Sequence, residues 1–457
     1  MKEKDYVKEL SIFVHGLTAD NLSKELIQLT RQYIADYISS ALAGFKVNRD
    51  LNESILSILS ERGGKKDATV LLSNEKFSVE DAAFINAVYA HGADMDDGNK
   101  KSMGHVAAHT ISSVFALAEA LDVTWGEVFV AIQAGYEVFN RIGAAAQPGL
   151  AHRGFHSTGM VGGMACAAAC AKLMRLNAEQ IYSAISIASV QSSGLLIITE
   201  SGQECKPLNP ANATRTGILS ALLAKKGIKG PSMVLQHPKG WFHATTEKAN
   251  TERIVEGLGE RFTMEECYLK PYPSCRHTHS LIECALRIRE EMAKDGDFKA
   301  DRIEKIKIYT YSNAVRVAGQ IQKPVADEET KFSIHYAFAC ALAKGSFAIC
   351  DLSVANAPKE IWPIIEKTEI VIDEKWEDFS AGVRGGMVEV ITENKKVYSF
   401  AVKTPKGEGE NPFTREDTIE KLKGCAEGIL TDKEQRDLLF RIDEIDLSKK
   451  YRPIKIG

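Results

Sequence analysis

Between two apolar runs, Val79 to Tyr89 and Ala107 to Leu121, the chain carries HGADMDDGNKKSMGHVAAH, residues 91–109. His91, Asp94, Asp96, Asp97, His105 and His109 are crowded into this one junction. Metal binding, proton transfer and plain solvation of a polar loop all use such groups. A calcium loop of the EF-hand type needs oxygen ligands at positions 1, 3 and 5 and Gly at position 6. Counted from Asp94, Gly98 and Asn99 fall on the fifth and sixth positions, and the pattern fails. His105 and His109 have the spacing of a helical zinc pair but lack the Glu of His-Glu-x-x-His. No metal is expected. A solvated junction and a proton-transfer site remain.

Other segments supply groups of the same kind. HRGFHSTGMVGGMACAAACAKL (152–173) sets His156 just before a Gly- and Ala-rich helical run. Ser157 or Thr158 could cap that helix, whose free N–H groups and positive dipole end favour an anion. Its small residues would equally serve close helix packing. GQECKPLNPANATRTG (202–217) puts Lys206 in a Gly- and Pro-punctuated loop, and KPYPSCRHTHS (270–280) clusters Lys270, Arg276, His277 and His279. A lone lysine is usually a solvated charge, whereas two basic loops near a hinge read as carboxylate recognition. Histidine is matched to proton transfer at neutral pH. Lysine and arginine can hold an enolate-like carbanion. No phosphate loop, GxGxxG after a strand or GxSxG elbow is present, and no organic cofactor is expected.

The elements that must position these residues are mostly helical. Thr18 to Asn21 offers caps for a helix from about Leu22 to Phe45. TWGE (124–127) is a capping box opening a helix to about Ile142, and NAEQ (177–180) opens another. Asn209 to Lys226 ends at Gly227, as at a C-cap glycine. After the prolines of YLKPYPSC (268–275) the texture changes. A helix from about His277 to Met292 precedes EKIKIYTY, which alternates as a strand. A helix near Ser333 to Lys344, the strand TEIVID and a hairpin GGMVEVITENKKVYSFAV with ENKK as its turn follow. From Phe413 the chain is helical again. The expected fold is mostly α: a large helical domain from residues 1–267 and 404–457, with a smaller α/β lid domain inserted at 268–403. A ligand is expected in the cleft between them.

The 457 residues suit two domains. Charges nearly balance, 57 basic against 61 acidic for a net of −4, and give no reason to expect nucleic acid or an anionic membrane as partner. Nine scattered cysteines, including the buried-looking pair Cys166 and Cys170, fit a reducing interior better than a disulfide framework. MKEKDYVKEL lacks an apolar signal core, and no stretch is apolar for the roughly 18 residues a membrane helix needs. A cytoplasmic protein is expected.

The ordered motifs AHGADMDDG…GHVAAH, GYEVFNRIG, GFHSTG…GG…AAA, GQECKPLNPANATRTG and KPYPSCRHTHSLIE resemble those of the MmgE/PrpD family, over roughly residues 20–400. The resemblance implies a helical domain with an α/β lid, a homodimer, and chemistry without metal or organic cofactor. Its activities include 2-methylcitrate dehydration, cis-aconitate decarboxylation and iminodisuccinate epimerisation. It places the active site on Asp94, His105, His156, Lys206 and Lys270. His105 and His156 would exchange protons, Asp94 would orient a histidine, and the lysines would bind a small polycarboxylate, with Arg276 and His279 as further substrate contacts. A lyase is expected first, an epimerase or racemase second, and a non-catalytic carboxylate-binding relative third. Two departures stand out: Gly98 where many members have Thr, and VAAH after His105 in place of Pro-Gly or Pro-Ser.

Overall fold

The computed structural model describes residues 4–73, 75–200, 202–296, 299–378 and 382–456. Met1 to Glu3 of the amino-terminal stretch lie outside them. Helix α1 (Lys24–Val47) is capped by Ser23, while Thr18 caps only the short turn Ala19–Asn21. Then come α2 (Val79–Gly92), α3 (Ala107–Glu119) and α4 (Trp125–Ala146), the last opened by the Thr124/Glu127 capping box. Helix α5 (Ser157–Leu173), α6 (Ala178–Ser189), opened by Asn177 and Gln180, and α7 (Leu208–Lys225) complete the first helical body. No described helix is long and apolar enough to cross a membrane.

Helix α5 explains its own composition. It lies against α3, α4, α6 and α7 and is buried on nearly every side, and a helix so enclosed must offer small residues to each neighbour. A Cβ on Gly217 of α7 would sit 2.2 Å from Cβ of Cys166, so two backbones meet there. Cys166 and Cys170 are free thiols packed in this core.

The α/β unit follows. Helix α8 (His279–Lys294), after the turn Arg276–Thr278, packs on a four-stranded sheet and on α9 (Ile334–Lys344). The strands are β1 (Ile303–Thr310), β2 (Thr368–Ile372), β3 (Gly386–Thr392) and β4 (Val397–Val402), in spatial order β4-β3-β1-β2. Strands β1 and β2 run parallel; the other two pairings are antiparallel. Alternate residues of β3, Val388 and Val390 among them, turn inward onto α8, each such side chain contributing about 1.5–3 kcal/mol by burial. The turn Glu393–Lys396 closes the hairpin, with Lys395 at φ +65°.

Two separate cores result. One holds residues from Val7 to Leu269 and again from Phe413 to Tyr451; the other runs from Cys275 to Val402. Helices α10 (Arg415–Ala426) and α11 (Asp432–Asp443) return to the helical body and pack on α1. The fold is mostly α with an α/β part.

Helices α1 and α2 cross at glycine. A Cβ on Gly44 would lie 1.9 Å from the Tyr89 carbonyl oxygen, and one on Gly92 would lie 2.9 Å from Cα of Gly44. This contact fixes the end of α2, where the acidic junction begins. Gly44→Ala must push the helices apart and is expected to destabilise by about 1–3 kcal/mol or more. Thermal melting checks this, and an unchanged Tm would refute the close approach.

Candidate active site

The junction after α2 is held by lysines from three distant parts of the chain. Helix ends leave carbonyls without partners, and cations are favoured there. Here Lys331 donates to the Gly92 carbonyl at 2.8 Å, Lys270 to that of Asp94 at 2.8 Å and Lys421 to that of Met95 at 2.6 Å. Lys421 also pairs with buried Asp36, and Lys331 with Glu328. Asp94 sits at φ +50°, a left-handed conformation unusual for a residue with a side chain.

Asp94 Oδ1 accepts from Lys206 Nζ at 2.8 Å and lies 3.2 Å from Lys270 Nζ. Burial alone would push its carboxyl up, but Lys206 and then Lys270 outweigh it and hold the group well below the usual carboxylate range. Lys206 Nζ donates a second bond to His91 Nε2 at 2.7 Å, so the His91 proton is on Nδ1, which donates to Asp96 Oδ2 at 2.8 Å. Removing one partner from so buried a charge group costs on the order of 3–5 kcal/mol.

The next carboxylate builds the scaffold. Asp97 accepts from the backbone N–H groups of Val106 and Ala107 and from the Tyr136 hydroxyl, tying the start of α3 to α4. Burial pushes its carboxyl up to about 7 in spite of these donors.

His105 and His156 are held in opposite tautomers. His105 Nδ1 is 2.7 Å from the Asp97 carbonyl oxygen and 3.4 Å from Asp96 Oδ1. Both atoms only accept, so Nδ1 carries the hydrogen and Nε2 keeps a free lone pair, 3.8 Å from Asp94 Oδ1. His156 Nδ1 accepts from the Asn209 amide nitrogen at 2.9 Å, which leaves the hydrogen on Nε2. Burial holds both imidazoles well below the usual histidine range, and the charges of Lys206 and Lys270 add to the effect on His105, that of Lys206 on His156. His91 stands between them, its ring 4.8 Å from His105 and 6.1 Å from His156. His156 itself occupies the cap position of α5. Ser157 and Thr158, considered as caps from sequence, are engaged elsewhere: Ser157 Oγ donates to the Ser102 carbonyl, and Thr158 Oγ1 accepts from the His105 N–H.

All five residues of the expected site line one cleft of about 700 Å³, mouth included, between the two cores. Among the described residues, Lys206, Lys270, Arg276, Arg316 and Arg384 face it against a single acid, Asp94. Arg276 lines the wall, but its five N–H groups are all occupied: by Glu408, the Pro405 and Lys406 carbonyls, and His279 Nδ1. His279 is enclosed behind it, its Nε2 on the Ser274 carbonyl, and does not reach the cleft. Both act as struts of this wall. Sequence reasoning passed over His91, Asp96 and Arg384 as site residues. The first two had a signal, since they flank Asp94; Arg384 had none, because only the folded sheet brings it here.

The zinc-like pair of the sequence is not a pair. His109 is buried beneath α5 against Cys166, away from His105. Ligand atoms of His91, Asp94, Asp96 and His105 do lie within 4.8 Å of one another. Lys206 already bridges His91 Nε2 and Asp94 Oδ1, so a divalent ion would have to displace an ammonium group.

A mostly helical body, an α/β unit and a cation-lined cleft with two histidines of opposite polarity define a two-domain class of protein. The chain belongs to the MmgE/PrpD family: residues 8–254 match the MmgE/PrpD N-terminal domain and residues 272–444 the C-terminal domain. It is 24% identical over 449 residues to a cis-aconitate decarboxylase-like protein, oryM, of Aspergillus oryzae, covering 94% of this chain and 92% of that one. It is 24% identical to human cis-aconitate decarboxylase, over 94% and 90% of the two chains. With 2-methylcitrate dehydratase of Escherichia coli it shares 28% identity over 194 residues, 41% of this chain and 39% of that one.

Gly98 now has a physical reason. Gly98 pairs with Tyr268, and a Cβ there would lie 2.4 Å from the Tyr268 hydroxyl oxygen and 2.5 Å from Cζ. The glycine and the tyrosine are one solution to filling this wall. Gly98→Thr is expected to displace the Tyr268 ring and cost about 1–3 kcal/mol of stability, and the added change Tyr268→Ala should restore part of it. Melting curves of the single and double variants decide; additive losses would break the link.

Proposed function

We propose that the protein is a lyase acting on a small tri- or dicarboxylate, through negative charge developed next to a carboxylate and without metal or organic cofactor. The observation that carries this reading is the pair of histidines held in opposite tautomers beside two lysine ammonium groups. In a dehydration His105 Nε2, with its lone pair, takes a proton from the carbon next to a carboxylate. Lys206 and Lys270 bind that carboxylate and the enolate charge that builds on it, supplying the role a cation cofactor would otherwise fill. His156 Nε2–H gives its proton to the departing hydroxide in a dehydration, or to the carbanion left when CO2 departs. Asp94 holds both lysines in place.

Loss of CO2 is the first form of the reaction, since likeness to cis-aconitate decarboxylases runs nearly the whole chain. Loss of water is the second, favoured by the presence of a base, which decarboxylation does not require. Incubation with cis-aconitate and with 2-methylcitrate in deuterated water, followed by NMR, tests the reading. Release of CO2 or water is expected. Deuterium at the α-carbon with neither released would make it an epimerase, and no change in any substrate of a carboxylate panel would leave a binding protein.

Replacing His156 by Gln in either form of the reaction, or His105 by Gln in the dehydration, is expected to lower kcat about 10²–10⁴-fold with the circular dichroism spectrum retained. In the dehydration the His105 base must be neutral to work, and its proton affinity is lowered in the folded state, so the acidic limb of kcat/KM should fall well below pH 6.5. Activity is then flat from there to neutral pH. A limb at or above pH 6.5 that survives in His105→Gln would remove this histidine from the role of base.

A further inference from the structure

Arg384 is the cation of the cleft that the mechanism leaves unused. Lys206 and Lys270 both sit on Asp94, Arg276 is paired with Glu408, and Arg316 lies at the exposed rim on Asn313. Arg384 is only 6% exposed, yet among the described residues it forms no ion pair. Its one hydrogen bond there runs from Nη2 to the Lys100 carbonyl, a neutral acceptor, at 3.0 Å. Glu377, opposite it across a short strand pair, and Glu408 favour its charge from a distance without contact. Burying a guanidinium without a carboxylate is costly, and the cost is offset if a ligand completes the pair.

Its placement is rigid. Arg384 ends the strand Val383–Arg384, the Gly385 N–H is bonded to the Trp376 carbonyl at 2.8 Å, and β3 begins at Gly386 with partners on both sides. The guanidinium therefore enters the cleft from the α/β unit, facing the wall that carries Asp94 and Lys206. On that opposite wall two ammonium groups face the cleft with one carboxylate, Asp94, between them, while Asp96 is turned away onto His91, so the ammonium groups are what a carboxylate at the reacting end meets.

We infer that Arg384 binds the substrate carboxylate farthest from the reacting carbon and thereby sets a preference for three carboxylates over two. This rests on the carboxylate-lyase reading above. The planar fork of arginine suits two-point capture of a carboxylate, which a lysine would not match.

Two inert analogues that differ by one carboxylate test the assignment: propane-1,2,3-tricarboxylate and methylsuccinate. Calorimetric Kd values are measured for the unaltered protein, Arg384→Ala and Arg384→Lys. The unaltered protein should prefer the tricarboxylate by about tenfold or more. Arg384→Ala should weaken the tricarboxylate by roughly 10- to 100-fold and leave methylsuccinate unchanged, erasing the preference, with Arg384→Lys between. Equal weakening of both analogues would mean that Arg384 only holds the Lys100 loop, and would overturn the inference, as would no change in either. If the unaltered protein binds neither analogue, the carboxylate reading falls and this inference with it. If it binds both and Arg384→Ala keeps the ratio, Arg384 alone is refuted.

Discussion

One carboxylate organises this molecule. Asp94 is buried with two ammonium groups on it, one brought by the loop before α7 and one by the segment leading into the α/β unit. Burial works against an ionised Asp94, and these two lysines outweigh it. The same attraction sets the cleft's electrostatics. Its lysines add to the burial that already keeps the nearby histidines neutral.

Around that charge group the scaffold works by close approach and by fixed hydrogen-bond polarity. The Gly44–Gly92 crossing lets α1 and α2 touch, and Asp97 ties the start of α3 to α4. These contacts bring the Asp97 carbonyl to His105, and with it the choice of ring nitrogen that carries the hydrogen. Asn209 makes the opposite choice for His156. The catalytic polarity proposed for the two histidines is thus written in backbone and amide groups, not in the histidines.

Much of the scaffold was legible in the sequence because it is local. The capping boxes at Thr124 and Asn177, the Ser333–Lys344 helix and the hairpin with its Glu393–Lys396 turn all declare themselves within a few residues. The convergence of Asp94, His105, His156, Lys206 and Lys270 on one cleft was expected from the family resemblance, which stores long-range proximity that single-sequence periodicity cannot. What stayed hidden is what depends on tertiary geometry. Arg276 looked like a clamp, but Glu408, a loop at 405–406 and His279 take every donor it has. Thr18 looked like the cap of α1, yet a short turn intervenes and Ser23 takes that place. His105 and His109 share a spacing but not an environment, because α5 encloses the second.

The lysines that seal the junction also set a timetable for synthesis. The groups that complete Asp94 and its neighbours lie 112 residues on at Lys206, 176 at Lys270, 239 from Gly92 to Lys331 and 326 from Met95 to Lys421. A ribosome adding about 5–20 residues per second needs on the order of 15–65 seconds between Met95 and Lys421. Through that interval the Met95 carbonyl and the Asp36 carboxylate are without their ammonium partner. The junction after α2 is therefore complete only once Lys421, the most distant of these lysines, has been made.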